Sequence, residues 1–309
     1  MLPMSGRRDA VTVRVPAKLN LELLVGPLRD DGYHDLSTVF HAVGLFDTVT
    51  VEEADDWSVE VLGPYSHLVP AGEGNLALDA AKLLSAWEGL ERPVKITIDK
   101  AIPVAAGLAG GSADAAGTLV ACDALWGLDS DRVVLDSLAE RLGSDVNFAL
   151  TGGTAIGSGR GERVAPVLGR GRYEWVLVTS DAGLSTPKVF AELDRLRAGR
   201  EIDTPEPTPA MMAALRSGDV RALGAALVND LQEAALSLRP ELGDVLAAGM
   251  ECGALGGIVS GSGPTVAFLA ENPERALDIV SALTDAKVGS LVKRAGGPVH
   301  GAHVVAGGA

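Results

Sequence analysis

Between Ile102 and Leu125 the chain reads IPVAAGLAGGSADAAGTLVACDAL, a stretch of small residues where Asp114 and Asp123 are the sole charges. Residues this small let backbone N–H groups come close to a ligand. The first turn of a helix presents such donors unpaired, with the positive end of the helix dipole behind them. The chemistry on offer is the holding of phosphate. Gly107, Gly110 and Gly111 are free to take positive φ, and Ser112 is placed to cap the helix or to reach a phosphate or its Mg²⁺. The same composition also suits a helix packed tightly on a sheet, with no ligand at all. No Gly-Lys dipeptide occurs, which excludes a Walker A loop. Neither GLAGGSADAAG nor GSGRGE supplies the G-x-G-x-x-G of a dinucleotide turn.

The elements around this stretch follow from hydrophobic period. VTVRVPAKLNLELLV predicts a strand, an interruption at Pro16 and a second strand; FDTVTVEEA and WSVEVLG read as further strands. Asn75 is placed to cap a helix over LALDAAKLLSAW. PVKITIDKAIP is a strand ending at Pro103, followed by a helix over about 112–125. DRVVLDSLAERLG is an amphipathic helix stopped by Gly143, and GGTAIGSGRGERVAPV is a glycine-rich hairpin. The second half opens with the strand YEWVLVTS and predicts helices over 187–197, 209–217, 219–236 and 240–252. GIVSGSGPTVAFLA reads as strand, turn, strand; PERALDIVSALTDA as a helix; GSLVKRA and GAHVVAG as closing strands. The Pro-rich DTPEPTP (203–209) is a loop between helices, and no repeat of fixed period occurs. The mixture is α+β in two blocks, 1–170 and 171–309.

A chain of 309 residues favours two domains, and 47% apolar with 22% charged residues is ordinary globular composition. Aromatics at 4% leave the core to Val, Leu, Ile and Ala. A formal charge of −15 speaks against nucleic acid or an anionic membrane as partner, since both would be repelled. An anionic small molecule would need local donors that outweigh that field. Cys122 and Cys252 read as buried thiols of a reducing compartment. MLPMSGRRDA lacks the apolar segment of a signal peptide and is expected to fray. Glycines, Pro264 and hydroxyls break the uncharged run 252–270, so it predicts turn and strands rather than a membrane span. The expectation is a cytoplasmic protein, monomeric or a homodimer. His300 and His303 fall in a predicted strand where they face opposite sides, so metal binding there is not expected.

PVAAGLAGGSADAA resembles the phosphate-binding motif of the GHMP kinases, the family of galactokinase, homoserine kinase and mevalonate kinase. PAKLNLEL, DGYHDLSTVF, LGSDVNFAL and GIVSGSGPTVAF match in the same order, so the likeness extends from about Val11 to Phe268. PAKLN together with DGYH is far more specific than the glycine loop. Among these kinases the chain is most similar to those acting on 4-diphosphocytidyl-2-C-methyl-D-erythritol in non-mevalonate isoprenoid synthesis. The resemblance implies an N-terminal ATP-binding domain like ribosomal protein S5 and a C-terminal ferredoxin-like α+β domain. It also implies transfer of the ATP γ-phosphoryl group to the C2 hydroxyl, giving the 2-phosphate and ADP. Ala105, Ala106 and Ala109 stand where relatives often carry glycine, and Asn147 where proline is common. The alanines put a donor contact at those positions in question.

Phosphoryl transfer needs alignment and charge neutralisation more than covalent chemistry. The resemblance makes Asp145 the carboxylate that orients the alcohol and accepts its proton, and Lys18 the cation beside it. By spacing alone, Asp145 after Gly143-Ser144 is an N-cap, and Lys18 is a surface lysine on a half-exposed strand. Asn20 shares Lys18's face and is expected to hold substrate hydroxyls or Lys18 itself. The segment 103–113, Pro103-Val104-Ala105-Ala106-Gly107-Leu108-Ala109-Gly110-Gly111-Ser112-Ala113, is implied as the ATP site, with Ser112 the protein group for nucleotide-borne Mg²⁺. Tyr33 and His34 are implied for the cytosine base; Phe190 is placed to supply its opposite face or is one more apolar residue of the helix from Pro187, and Lys100, ending the strand before the glycine loop, is placed to reach substrate phosphates or ribose. Gly261, Ser262 and Gly263, a tight hairpin turn by sequence, are implied to close on the substrate.

Two other readings stay open. One is a kinase of the same fold for another alcohol, homoserine or mevalonate, which would have no cytosine for DGYH to recognise. The other is a nucleotide-binding regulator without turnover, against which stand Lys18, Asp145 and the intact Gly110-Gly111-Ser112.

Overall fold

The computed structural model describes residues 9–180 and 182–305. The expected N-terminal fraying concerns residues 1–8, which lie outside them. Two long strands, β1 (Ala10–Leu28) and β2 (His34–Glu53), pair antiparallel over nearly their whole length. Pro16 does not end β1, as the sequence suggested. The register slips between Pro16 and Ala17, and a bulge absorbs the residue that cannot donate to the ladder.

The first sheet has eight strands. Its path runs β12 (His303–Val304), β1, β2, β4 (Val94–Asp99) and β3 (Ser58–Leu62). The other half of β2 pairs with β5 (Thr154–Gly159), which carries β6 (Arg163–Pro166). A short parallel strand, β8 (Val228–Asn229), joins β1 at Glu22 and Leu23. Helices α1 (Leu76–Trp87), α2 (Gly110–Trp126), α3 (Arg132–Leu142) and α4 (Val146–Thr151) accompany this sheet. Asn75 caps α1 as expected, its side chain accepting from Ala77 N at 2.9 Å.

α2 lies at the centre, buried along most of its length, with Leu119, Ala115 and Cys122 in the core shared with Val13, Val49 and Ile98. Its composition is explained by closeness. A methyl group at Gly117 would stand 2.9 Å from Val49 Cγ2, so the helix can settle on the sheet only without it.

The second sheet is four-stranded and antiparallel, in the order β11 (Leu291–Gly297), β7 (Tyr173–Thr179), β10 (Val266–Ala270), β9 (Gly256–Val259). β7 shows why the halves are joined. Tyr173, Trp175 and Leu177 enter the first core, while Val176 and Val178 face a second core with Phe268, Ile279 and Leu283. α5 (Thr186–Leu196) and α10 (Pro273–Asp285) cover that second face, beside α8 (Gln232–Leu238) and α9 (Glu241–Glu251). α6 (Pro209–Ser217) and α7 (Val220–Ala226) pack on the first core. The helix expected over 219–236 is in fact α7, β8 and α8. Asn229 and Asp230 are poor helix formers that bond elsewhere: Asn229 Nδ2 donates to Val259 O and Gly261 O, and Asp230 Oδ2 accepts from Val25 N. Cys122 is buried and Cys252 half-buried, both free thiols.

Candidate active site

Three segments distant in sequence meet at the middle of β1. Lys18 N donates to Leu108 O at 3.2 Å, which fastens the strand to the glycine loop. The loop in turn holds the 260–265 turn: Thr265 N donates to Ala106 O at 3.3 Å and Ser260 Oγ to Gly107 O at 3.0 Å. A methyl group at Gly107 (φ +76°) would lie 2.0 Å from Ser260 O, so glycine there is a condition of the contact.

Lys18 is buried, and its ammonium must be matched by charge or hydrogen bonds. Its Nζ donates to Asn20 Oδ1 at 2.6 Å, Asn20 Nδ2 donates to Thr38 Oγ1 at 2.8 Å, and Thr38 Oγ1 donates to Glu22 O at 2.7 Å. Asn20 therefore holds Lys18 itself, one of the two roles expected for it. Asp145 Oδ2 is 3.6 Å from the ammonium, near enough for charge attraction and too far for a hydrogen bond. Asp145 occupies the N-cap position of α4, yet its side chain makes no capping bond and is 29% exposed. The carboxylate is thus polarised by a fixed cation while its lone pairs stay available.

Beside this pair, α2 begins without a cap. Ala109 has no side-chain acceptor, so among the described residues no N-cap side chain takes up the N–H groups of Gly110, Gly111 and Ser112 in the first turn. Ser112 Oγ borders Gly143, where a methyl group would lie 3.9 Å from it, placing the hydroxyl next to the segment that delivers Asp145. Ala105 (φ 50°) and Ala109 (φ 58°) both adopt left-handed conformations, which accounts for glycine at such positions and strains the alanines. Within the expected segment 103–113 the side chains of Ala106 and Leu108 point into the core. Ala113 N is occupied, donating to Ala109 O at 2.9 Å, so it is not among the free donors.

Two expectations need correction. The missing side chain at Gly110 makes room for Lys100 rather than for phosphate; a methyl group there would point inward, 2.8 Å from Lys100 Nζ. Lys100 does not face a substrate. It is 1% exposed, its Nζ donating to Asp47 Oδ2 at 2.5 Å and Asp114 Oδ2 at 2.7 Å. Asp47 Oδ1 also accepts from Ala101 N and Ile102 N at 2.7 and 2.8 Å, so this buried triad anchors the entry to the glycine loop. Two carboxylates share one ammonium there. Burial, aided by Asp47, pushes the Asp114 carboxyl up to about 8 despite the lowering effect of Lys100.

At the other end of β1 and β2, His34 Nε2 pairs with Asp194 Oδ1 at 2.9 Å, and its ring stacks on Phe190 with centroids 5.2 Å apart. Phe190 therefore faces His34, and Tyr33 lies exposed beneath Arg160, whose guanidinium carbon is 5.1 Å from the ring centroid. The 260–265 turn brings Gly261 against the Lys18–Asn20 pair; a methyl group on it would stand 3.2 Å from Asn20 Oδ1 and 3.3 Å from Lys18 Nζ. Ser262 Oγ bonds Thr186 Oγ1 at 2.8 Å at the start of α5. Thr38, Asp47, Thr186, Asp194 and Asn229 were not singled out from the sequence. Of these only Asn229 carried a signal, an Asn-Asp pair inside an otherwise apolar helical run.

The chain matches the GHMP kinases N terminal domain over residues 75–155 and the GHMP kinases C terminal domain over residues 211–288. It is 58% identical, over 96% of its length and 92% of the relative's, to the 4-diphosphocytidyl-2-C-methyl-D-erythritol kinase of Mycolicibacterium smegmatis. It is 53% identical, over 96% and 95%, to the protein of that name from Rhodococcus jostii. A solved structure of 4-(cytidine 5'-diphospho)-2C-methyl-D-erythritol kinase superposes with a TM-score of 0.74 at 35% identity, covering 92% of this chain and 99% of that one. The glycine loop, the Lys18–Asp145 pair and the turn at 260–265 thus stand in a chain that belongs to the 4-diphosphocytidyl-2-C-methyl-D-erythritol kinase family of GHMP kinases.

Proposed function

We propose that the chain transfers the γ-phosphoryl group of ATP to the C2 hydroxyl of 4-diphosphocytidyl-2-C-methyl-D-erythritol, giving the 2-phosphate and ADP. The observation that carries this reading is the Lys18–Asp145 pair at 3.6 Å beside the uncapped start of α2. The N–H groups of Gly110, Gly111 and Ser112 hold phosphate oxygens, each charge-assisted bond being worth about 1.5–3 kcal/mol. Asp145 accepts a hydrogen bond from the acceptor hydroxyl and then its proton. Lys18, held by Asn20, offsets the negative charge that builds on the transferred group. Gly261, Ser262 and Gly263 close the alcohol end, and Tyr33, His34 and Phe190 take the base.

Mg²⁺ carried on ATP supplies further charge neutralisation. Ser112 Oγ, next to the segment that delivers Asp145, is the protein oxygen that would reach such a nucleotide-borne cation. Nucleotide binding and catalysis fall within residues 1–170, as does the base end at Tyr33 and His34, while Phe190 and the 260–265 turn come from 171–309; β8, β12, α6 and α7 of the second half join the first sheet or its core. We place the reaction in the cytoplasm, in non-mevalonate isoprenoid synthesis; no described helix is long and apolar enough to cross a membrane.

The test is ADP release with the diphosphocytidyl polyol, homoserine and mevalonate offered in parallel. Turnover of the first alone supports the reading. Turnover of either other alcohol in its place, or ATP binding without ADP release for all three, sinks it.

A further inference from the structure

The hairpin between β5 and β6 carries a cation that the reaction described above leaves without a task. Arg160 lies over the exposed Tyr33 ring at 5.1 Å, and its one ion pair among the described residues is with Glu162 at 4.0 Å, beyond hydrogen-bond reach. The hairpin tip is firmly set. Arg160 N donates to Glu162 Oε2 at 2.6 Å, and Asn147 Nδ2, from the first turn of α4, donates to Glu162 O at 2.9 Å. A methyl group on Gly161 would touch Phe40 Cζ at 3.5 Å and Ser144 Cβ at 3.8 Å, and Phe40 is itself the ring 5.6 Å from Lys18 Nζ. The tip therefore spans the distance between Tyr33, at the base end, and Ser144-Asp145, at the alcohol end.

We propose that Arg160 grips the diphosphate of the acceptor substrate. The inference rests on the reading that the acceptor is a cytidine diphosphate joined to a polyol. With the base at Tyr33 and the reacting hydroxyl at Asp145, the two phosphates lie between them, alongside the hairpin tip. A chain of formal charge −15 repels such a group unless a local cation receives it. Lys18 is engaged with Asn20 and Asp145, and Arg29 with Asp31 and Asp35. A guanidinium resting on an aromatic face keeps its edge donors free for bidentate bonds to phosphate oxygens. Stacking on Tyr33 also lowers the cost of fixing a long side chain, and it couples recognition of the base to recognition of the phosphates.

The experiment compares wild type, Arg160→Ala and Arg160→Lys in two measurements. In steady-state kinetics, Arg160→Ala raises the KM for the diphosphocytidyl substrate about tenfold, a larger effect than on kcat, with the KM for ATP changed less than about twofold; Arg160→Lys recovers part of the loss. In calorimetric titrations, wild type binds CDP more tightly than cytidine, and Arg160→Ala brings the two affinities within about twofold of each other. An unaltered CDP-to-cytidine ratio in Arg160→Ala overturns the proposal, as does an equal loss for both ligands, which would reduce Arg160 to a support for Tyr33. If the wild type fails to turn over the diphosphocytidyl substrate, the acceptor reading falls by itself. The titrations, which need no turnover, still decide the case of Arg160.

Discussion

Lys18 Nζ donates a 2.6 Å hydrogen bond to Asn20 but stops 3.6 Å short of Asp145 Oδ2. The inequality matters chemically. A lysine bonded directly to the carboxylate would occupy the lone pairs that an alcohol needs, whereas one held back by Asn20 contributes field without competing.

Asp145→Asn keeps the shape of the side chain and removes its ability to take a proton. We expect kcat to fall by about 10²–10⁴ with ATP affinity nearly unchanged, since the glycine loop is untouched. Single-turnover kinetics and ATP titration check this, and full activity in the variant would remove Asp145 from the chemistry.

Thr38→Val deletes the hydroxyl that receives Asn20 Nδ2 and leaves the buried amide short of a partner. Asn20 then loses its fixed orientation and Lys18 its set distance. A drop in kcat of about tenfold is expected with little change in ATP affinity. Rescue by Thr38→Ser, which restores the hydroxyl, separates this effect from general loss of packing.

Gly107→Ala and Gly111→Ala test the two uses of glycine in one loop. At Gly107 the added methyl group meets Ser260 O at 2.0 Å, a backbone atom that cannot turn aside, and unfolding free energy should fall by about 2 kcal/mol or more. At Gly111 the nearest atom is Leu76 Cδ1 at 3.5 Å, so stability should hold. Thermal melts with and without ATP distinguish the cases; equal destabilisation in both variants would contradict the packing argument.

Ala109→Gly relieves a left-handed alanine at the head of α2. The strain of about 1–2 kcal/mol exceeds the entropy that glycine adds to the unfolded chain, about 0.4–1 kcal/mol, so a small rise in Tm is expected. A lower Tm would mean that the alanine side chain makes a contact worth more than its strain.

The Asp114 carboxyl, pushed from 3.8 to about 8 by burial, makes stability depend on pH. The folded state keeps the proton where the unfolded state has released it. The contribution is therefore complete below about pH 3.8 and is lost as pH rises towards 8. His41, fully buried and lowered from 6.5 to about 3, acts in the opposite sense and is level above pH 6.5. Between pH 6.5 and 8 Asp114 thus governs the balance of these two, with a slope of up to about 1 kcal/mol per pH unit. Calorimetry on Asp114→Asn over that range should show the decline flattened; an identical slope would clear Asp114 of the effect.

What could be read from the sequence was whatever depends on neighbours along the chain. Most strand and helix periods, the Asn75 cap, the helix stop at Gly143 and the order of the glycine, PAKLN and DGYH motifs are local, and the structure carries them; the break expected at Pro16 and the single helix over 219–236 failed because strand pairing and the bonds of Asn229 and Asp230 come from other segments. Lys18, Asp145, Ser112 and the 260–265 turn could be nominated because residue type and motif are local too. Tertiary structure decided which of them meet and what the small residues are for. Gly107 makes room for Ser260 O, Gly110 for Lys100, and Gly117 for Val49, none of them a neighbour in sequence. Lys100 looked like a substrate lysine at the end of a strand; only the fold brings Asp47 and Asp114 to it and takes it out of solvent. Close contact and burial are properties of pairs of segments, set when β1, α2 and the 260–265 turn come together. No stretch of sequence read alone contains them.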